Sequence, residues 1–175
     1  RLYFTAKNEL PALEKLEIAD KWVLSKLNTL IAEVTENLEK VNETQSENIR
    51  KAAELMTDAI ANDRLINVYG GGGHTTLPVG EMFFRAGGLS CINPVMETGL
   101  SVFNQALKYL ELERTVNYGA AILKYYDLQK GDVLIIFHNI GINPATIDAA
   151  MEAKRRGVDL YALTKPEYYE GLLKR

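Results

Sequence analysis

The sequence predicts an α/β protein, a mostly parallel sheet with helices on both faces, preceded by a long amphipathic helix. Three observations predict it. Short apolar, β-branched runs alternate with helical patterns from Leu65 onward. One such run, Leu65-Ile66-Asn67-Val68-Tyr69, passes directly into four glycines, Gly70 to Gly73, and then into a helical pattern. Upstream, Leu24, Leu27, Ile31, Val34, Leu38 and Val41 recur at alternating three- and four-residue spacing, which aligns them on one stripe of a helix.

Taken in order, the residues before Asp20 read as an irregular arm and a short helix. The stripe helix follows, with Lys26, Glu33, Glu36, Glu39 and Lys40 at positions that suit water. Its apolar stripe is either an ordinary packing face or a face for a partner subunit, and six positions are too few to assign a coiled coil. Thr44-Gln45-Ser46-Glu47 has the capping-box pattern and predicts the start of a second helix. Ile49, Ala52, Ala53, Met56, Ala59 and Ile60 form that helix's apolar face, and Asn62-Asp63 end it. Residues 1–62 are thus expected to form a helical segment packed on the domain and on a partner subunit, and residues 63–175 the α/β core, one domain in all. The second strand is expected over Ser90-Cys91-Ile92-Asn93, stopped by Pro94. The third, Val133 to Phe137, is a continuous run of the kind found in central strands covered on both faces. The fourth is expected from Asp159 to Thr164, and helices near 77–85, 102–111, 113–126 and 144–156.

Composition narrows the function classes. A chain of 175 residues is long enough for a sizeable core. A formal net charge of -3 argues against a general nucleic-acid binder. The single cysteine, Cys91, leaves no internal disulfide and no cysteine-rich metal site, and its apolar surroundings predict a buried, inert thiol. No apolar stretch reaches the length of a bilayer span, and no secretion-signal pattern is present. A cytoplasmic protein without metal or cofactor is expected. The chain starts at Arg1 rather than methionine, so a preceding segment is expected as well.

The first glycine loop carries the chemistry. Strand, glycine loop and helix together bind anions: glycine lets the backbone turn sharply and removes side chains that would block the ligand, and the first amides of the helix point at it. Gly71, Gly72, Gly73, His74, Thr75 and Thr76 are the candidate contacts, with the threonine hydroxyls adding hydrogen bonds. The alternative is a tight strand-to-helix turn without a ligand. A second polar loop, His138-Asn139-Ile140-Gly141-Ile142-Asn143-Pro144, follows the third strand at the same sheet edge. Asn143 suits a helix N-cap and Pro144 the first helical position. His138, Asn139, Gly141 and Asn143 can therefore clamp the same anion from the other side, while His138 also reads as a structural histidine.

These residues resemble the sugar isomerase (SIS) domain family, in particular its stand-alone bacterial members described as phosphosugar-binding or phosphoheptose-isomerase-like. The resemblance runs roughly from Trp22 to Thr164. It includes Glu47-Asn48-Ile49-Arg50-Lys51-Ala52-Ala53, Gly71-Gly72-Gly73-His74-Thr75 and Met82-Phe83-Phe84-Arg85-Ala86-Gly87-Gly88. It continues through Asn93-Pro94, Glu97, Gly99-Leu100, Lys130-Gly131-Asp132-Val133-Leu134-Ile135, Ile147-Asp148 and Glu152-Ala153-Lys154-Arg155-Arg156-Gly157. The resemblance implies a flavodoxin-like three-layer α/β/α sandwich, a phosphorylated sugar as ligand, and a homo-oligomer, dimer or tetramer. In the first loop Thr75 stands at the family's serine position. In the second, His138 and Ile140 replace the two serines before Gly141; backbone N–H groups can partly substitute, and a protonated His138 can pair with phosphate. The family continues to a fifth strand and a last helix. Here Pro166 to Arg175 read only as a short helix, so that strand is expected to be missing or supplied by a partner.

Two functions follow from the resemblance. One is aldose–ketose isomerisation of a sugar phosphate through an enediol, which needs a base and a ring-opening group. Glu97, after the second strand, is the first candidate base, Glu81 the second, and His74 the ring-opening or phosphate-contact group. The other is a sensory or structural member of the family without catalysis. The N-terminal residues read as a long helix rather than a DNA-binding domain, which argues against a transcription regulator.

Overall fold

The computed structural model describes residues 12–163, with side chains from Ala19 onward. Two compact units divide the chain between Arg50 and Lys51.

Helix α1 runs unbroken from Ala12 to Ala61. The capping box at Thr44 therefore starts no second helix. Residues 12–69 contain neither glycine nor proline, so nothing breaks the ladder there. The polar side chains bond back to their own helix instead: Thr44 Oγ1 donates to the Lys40 carbonyl, and Arg50 pairs with Glu47 at 2.7 Å. The short helix expected before Asp20 is not separate, because α1 already begins at Ala12 and runs on through Asp20. The part of the expected arm within residues 1–11 lies outside the described residues, as do Thr164 and the short helix expected over Pro166 to Arg175. Within the first unit, the stripe Leu24, Leu27, Ile31, Val34, Leu38 and Val41 is open, from 46% exposed at Val41 to 64% at Leu38.

The second unit holds a four-stranded sheet, β1 (Ile66–Gly70), β2 (Ile92–Val95), β3 (Val133–Phe137) and β4 (Asp159–Leu163), all pairs parallel, in the order β2-β1-β3-β4. Helices α2 (Thr76–Met82), α3 (Ala106–Leu112), α4 (Tyr118–Tyr125) and α5 (Pro144–Arg156) connect the strands, with a 3-10 turn at Thr98–Leu100. Strand period two splits the core into two layers. Ile66, Val68, Val133 and Ile135 face one side with Val79 of α2 and Ala59 of α1, joined by half-buried Leu55 and Met56. Tyr69, Leu134 and Ile136 face the other side with Ile122 and Leu123 of α4 and Ala145, Ala149 and Ala153 of α5. This is the expected three-layer α/β/α sandwich. Small residues bring α5 close to α4: a Cβ on Gly119 would stand 1.9 Å from the Ala145 carbonyl oxygen.

Several boundaries differ from expectation. Strand β2 extends through Pro94, which faces Val68 in the register. Proline is tolerated because β2 is an edge strand, and its missing amide need not serve a second neighbour. Helix α2 ends at Met82, three residues early, where Phe83 turns extended and Phe84 takes φ +53°. The helices expected from 102 and 113 begin at Ala106 and Tyr118, the second behind Asn117 at φ +66°. Cys91 is half-buried beside the core, close to the buried thiol expected.

Candidate functional site

The strand order reverses between β1 and β3, which lie side by side but lead to opposite faces of the sheet. Loops leaving adjacent strands at such a point diverge and open a crevice at their carboxyl ends. The two loops singled out by the sequence leave from these two strands.

The first loop, Gly70 to Thr75, is buried apart from exposed His74. Its threonine hydroxyls close the loop on itself. Thr75 Oγ1 accepts from Gly72 N at 3.0 Å and donates to the Gly72 carbonyl at 2.9 Å. Thr76 Oγ1 donates to the Gly73 carbonyl at 2.8 Å. The absence of side chains here is required by close neighbours. A Cβ on Gly71 would stand 2.1 Å from Thr146 Oγ1, and one on Gly73 2.7 Å from the Tyr109 ring. One on Gly72 would stand 2.8 Å from Glu113 Oε2, 3.6 Å from His138 Nε2 and 3.7 Å from Thr75 Oγ1.

In the second loop His138 is buried, and its Nδ1 accepts from Gly141 N at 2.6 Å and Ile140 N at 3.1 Å. An acceptor Nδ1 places the ring proton on Nε2, the nitrogen nearest Gly72. Burial pushes the imidazole's pKa down, and the two donors at Nδ1 hold it neutral. The protonated His138 expected to pair with phosphate is therefore not the form this loop favours. Asn143 precedes α5 as expected, with Pro144 at its first turn, but the Asn143 side chain makes no capping bond. It hydrogen-bonds the Glu113 carboxyl instead, while its carbonyl accepts from Thr146 N and Ile147 N. Asn139 is exposed and Gly141 takes φ +73°.

Three residues at the site carried no sequence prediction: Tyr109, Glu113 and Thr146. Tyr109 and Glu113 stand four apart at the end of α3, which puts both on one helical face over the glycines. Only that spacing hinted at them. Glu113 is buried, and burial pushes its carboxyl pKa up against the opposing influence of Arg114, 3.9 Å from Oε1, and of Asn143. Its own carbonyl accepts from Ala145 N at 3.0 Å, tying the end of α3 to α5. Thr146 Oγ1 is buried and finds no hydrogen-bond partner among the described residues.

The structure thus gathers Gly71, Gly72, Gly73, Thr75, His138 and Asn143 with Glu113 and Thr146. The three acid–base candidates are placed differently. Glu97 follows β2 and organises the 3-10 turn: its Oε1 accepts from Gly99 N at 2.8 Å. The Tyr118 hydroxyl also donates to Glu97, and burial with this carboxylate pushes the phenol up to about 12. Glu81 is exposed and ion-paired with Arg85 one turn along. His74 is exposed on the loop, its carbonyl accepting from Leu77 N at 3.3 Å. No group of three or more metal-ligating side chains occurs among the described residues, and no described helix is long and apolar enough to cross a membrane.

The SIS domain profile matches residues 29–165. A UPF0309 protein of Caldanaerobacter subterraneus subsp. tengcongensis is 38% identical over 150 residues, covering 85% of this chain and 61% of its own length. One of Thermoanaerobacter pseudethanolicus is 38% identical over 147 residues, covering 83% and 59%. The chain thus spans about three fifths of the length of these relatives. Among solved structures, a phosphoheptose isomerase of Neisseria gonorrhoeae superposes with a TM-score of 0.64 at 19% identity, over 81% of this chain and 75% of that one. Another, of Francisella tularensis, gives 0.61 at 14% identity with the same coverage. At such identity the likeness establishes the fold alone.

Proposed function

The chain belongs to the SIS-domain family, and on that footing we propose that it binds a phosphorylated sugar where the carboxyl ends of β1 and β3 meet. The observation that carries this reading is Thr146. Its hydroxyl is buried without a partner among the described residues and lies against Gly71 of the glycine loop. A buried unsatisfied hydroxyl is costly, and a ligand oxygen entering between the two loops would satisfy it. The backbone of Gly71, Gly72, Gly73, His74, Thr75 and Thr76 supplies one wall, and His138, Asn139, Gly141 and Asn143 the other.

Aldose–ketose isomerisation is the finer reading. In it Glu97 is the base, with Glu81 second, and His74 serves ring opening from its exposed position on the loop. It rests on the family and on fold analogy. The competing reading is a sensory or structural protein without catalysis. It draws on the engaged hydroxyls of Thr75 and Thr76 and on the cover that Tyr109 and Glu113 place over the glycines.

The reading also includes a homo-oligomer. The open stripe of α1 repeats as heptad positions Leu24, Leu27, Ile31, Val34, Leu38 and Val41. The flanking positions Asn28, Thr35, Asn42, Leu30, Asn37 and Thr44 are uncharged, so a second copy meets no like-charge repulsion there.

Thermal-shift measurements with a panel of sugar phosphates test binding. A stabilising sugar incubated in deuterated solvent then tests chemistry: exchange lost in Glu97→Gln supports an isomerase, and binding without exchange leaves a binder. No shift with any sugar phosphate removes the proposed ligand.

A further inference from the structure

We propose that Glu113 determines which ligands the glycine loop accepts: its carboxyl lies where an anion would rest on Gly72, so a dianion enters only together with a proton. This rests on the anion-binding reading above and adds to it a specificity-determining residue.

The geometry is direct. Glu113 Oε2 lies 2.8 Å from the point where a Gly72 side chain would begin, closer than His138 Nε2 at 3.6 Å or Thr75 Oγ1 at 3.7 Å. A ligand oxygen placed against that glycine therefore meets the carboxyl first. Ionised, the carboxylate only accepts hydrogen bonds and repels an anion; protonated, it donates one.

The groups facing it from each neighbouring element leave the repulsion unrelieved. Tyr109 of α3 presents a ring to Gly73. The loop after β3 contributes a neutral imidazole and the Asn143 amide. Thr75 and Thr146 contribute hydroxyls. Among the described residues the cation paired with it is Arg114, 3.9 Å away on the opposite oxygen, Oε1, with a side chain 59% exposed, where water screens it. Burial already favours the protonated carboxyl. The unpartnered Thr146 hydroxyl, 7% exposed at residue level and aimed at Gly71, marks the same place as built for a ligand.

Inorganic sulfate is the probe, because it stays a dianion across the neutral range. Calorimetry on the whole chain, in buffers of different ionisation enthalpy, is expected to show uptake of about one proton per sulfate near neutral pH. The affinity is expected to fall by up to about tenfold per pH unit as pH rises, the limit for coupling to one proton. Glu113→Gln, which keeps the shape and removes the titration, is expected to bind sulfate more tightly than the native chain at pH about 8 and to lose the pH dependence. Sulfate bound without proton uptake overturns the proposal. So does uptake that persists in Glu113→Gln, which would assign the proton to His138. If Glu113→Gln does not fold, His138→Gln decides: proton uptake retained in it upholds the assignment to Glu113, and uptake lost in it overturns the proposal. Failure of sulfate and of every sugar phosphate to bind at any pH overturns the anion-binding reading itself, and this inference with it.

Discussion

The hydroxyl of Tyr69 donates to the carbonyl oxygen of Ala145 at 3.1 Å, both residues fully buried. Tyr69 immediately precedes the glycine loop and Ala145 lies in the first turn of α5, so this bond joins the two loops from beneath. Burial raises the pKa of the phenol, which therefore stays protonated and keeps donating throughout the working range. Tyr69→Phe is expected to destabilise the protein by about 1 kcal/mol, the net value of a typical intramolecular hydrogen bond. Urea unfolding measures it, and a change below about 0.3 kcal/mol would mean that water replaces the bond.

Two glycine-to-alanine changes should move stability in opposite directions. Gly119→Ala puts a Cβ 1.9 Å from the Ala145 carbonyl, a backbone atom that cannot turn aside. Separating α4 from α5 is expected to cost at least about 1–3 kcal/mol. Gly80→Ala in α2 meets only the flexible end of Met96 at 3.6 Å, and is expected to stabilise by about 0.5–1 kcal/mol through helix propensity. Thermal unfolding of the pair reports both signs.

Thr146→Val separates folding from binding. Removing a buried hydroxyl with no partner among the described residues relieves a penalty of about 1–3 kcal/mol, offset in part by the imperfect match of valine's shape. The free protein should be more stable and its affinity for the anion lower. A variant less stable than the native chain would show that the hydroxyl already has a partner, such as a bound water.

The pH dependence of stability contains two opposite contributions. Glu152 accepts from Arg155 and Arg156, which hold its carboxyl at about 2 against an ordinary 4.5. Its contribution is present above 4.5 and is lost as pH falls toward about 2. Glu113 is displaced upward, so its contribution is present below 4.5 and is lost as pH rises through its folded value. Urea midpoints across the acid range should fall less steeply in Glu152→Gln than in the native chain. In Glu113→Gln the decline with rising pH above 4.5 should be shallower.

Much of the fold was legible because it depends on local periodicity. The β3 run is apolar on both faces and emerges as a central strand between two layers, with the bounds its residues suggested. The α5 bounds also follow from local signals, Pro144 at the start and Gly157, at φ +74°, just past the end. The break expected at Thr44 failed for a related reason. A capping box is permissive, and without glycine or proline nearby the helical ladder continues through it.

The amino-acid sequence by itself determined the family, the parallel sheet and the two loops, because strand period, glycine placement and cap residues act within a few positions of one another. Tertiary structure alone decided which side chains cover those loops. Glu113 follows Gly72 by some forty residues and Thr146 follows Gly71 by more than seventy, and each pair meets only when the sheet has formed. Contacts of that separation leave no period in the sequence, because their partners are chosen by the crossing of strands and helices rather than by spacing along the chain.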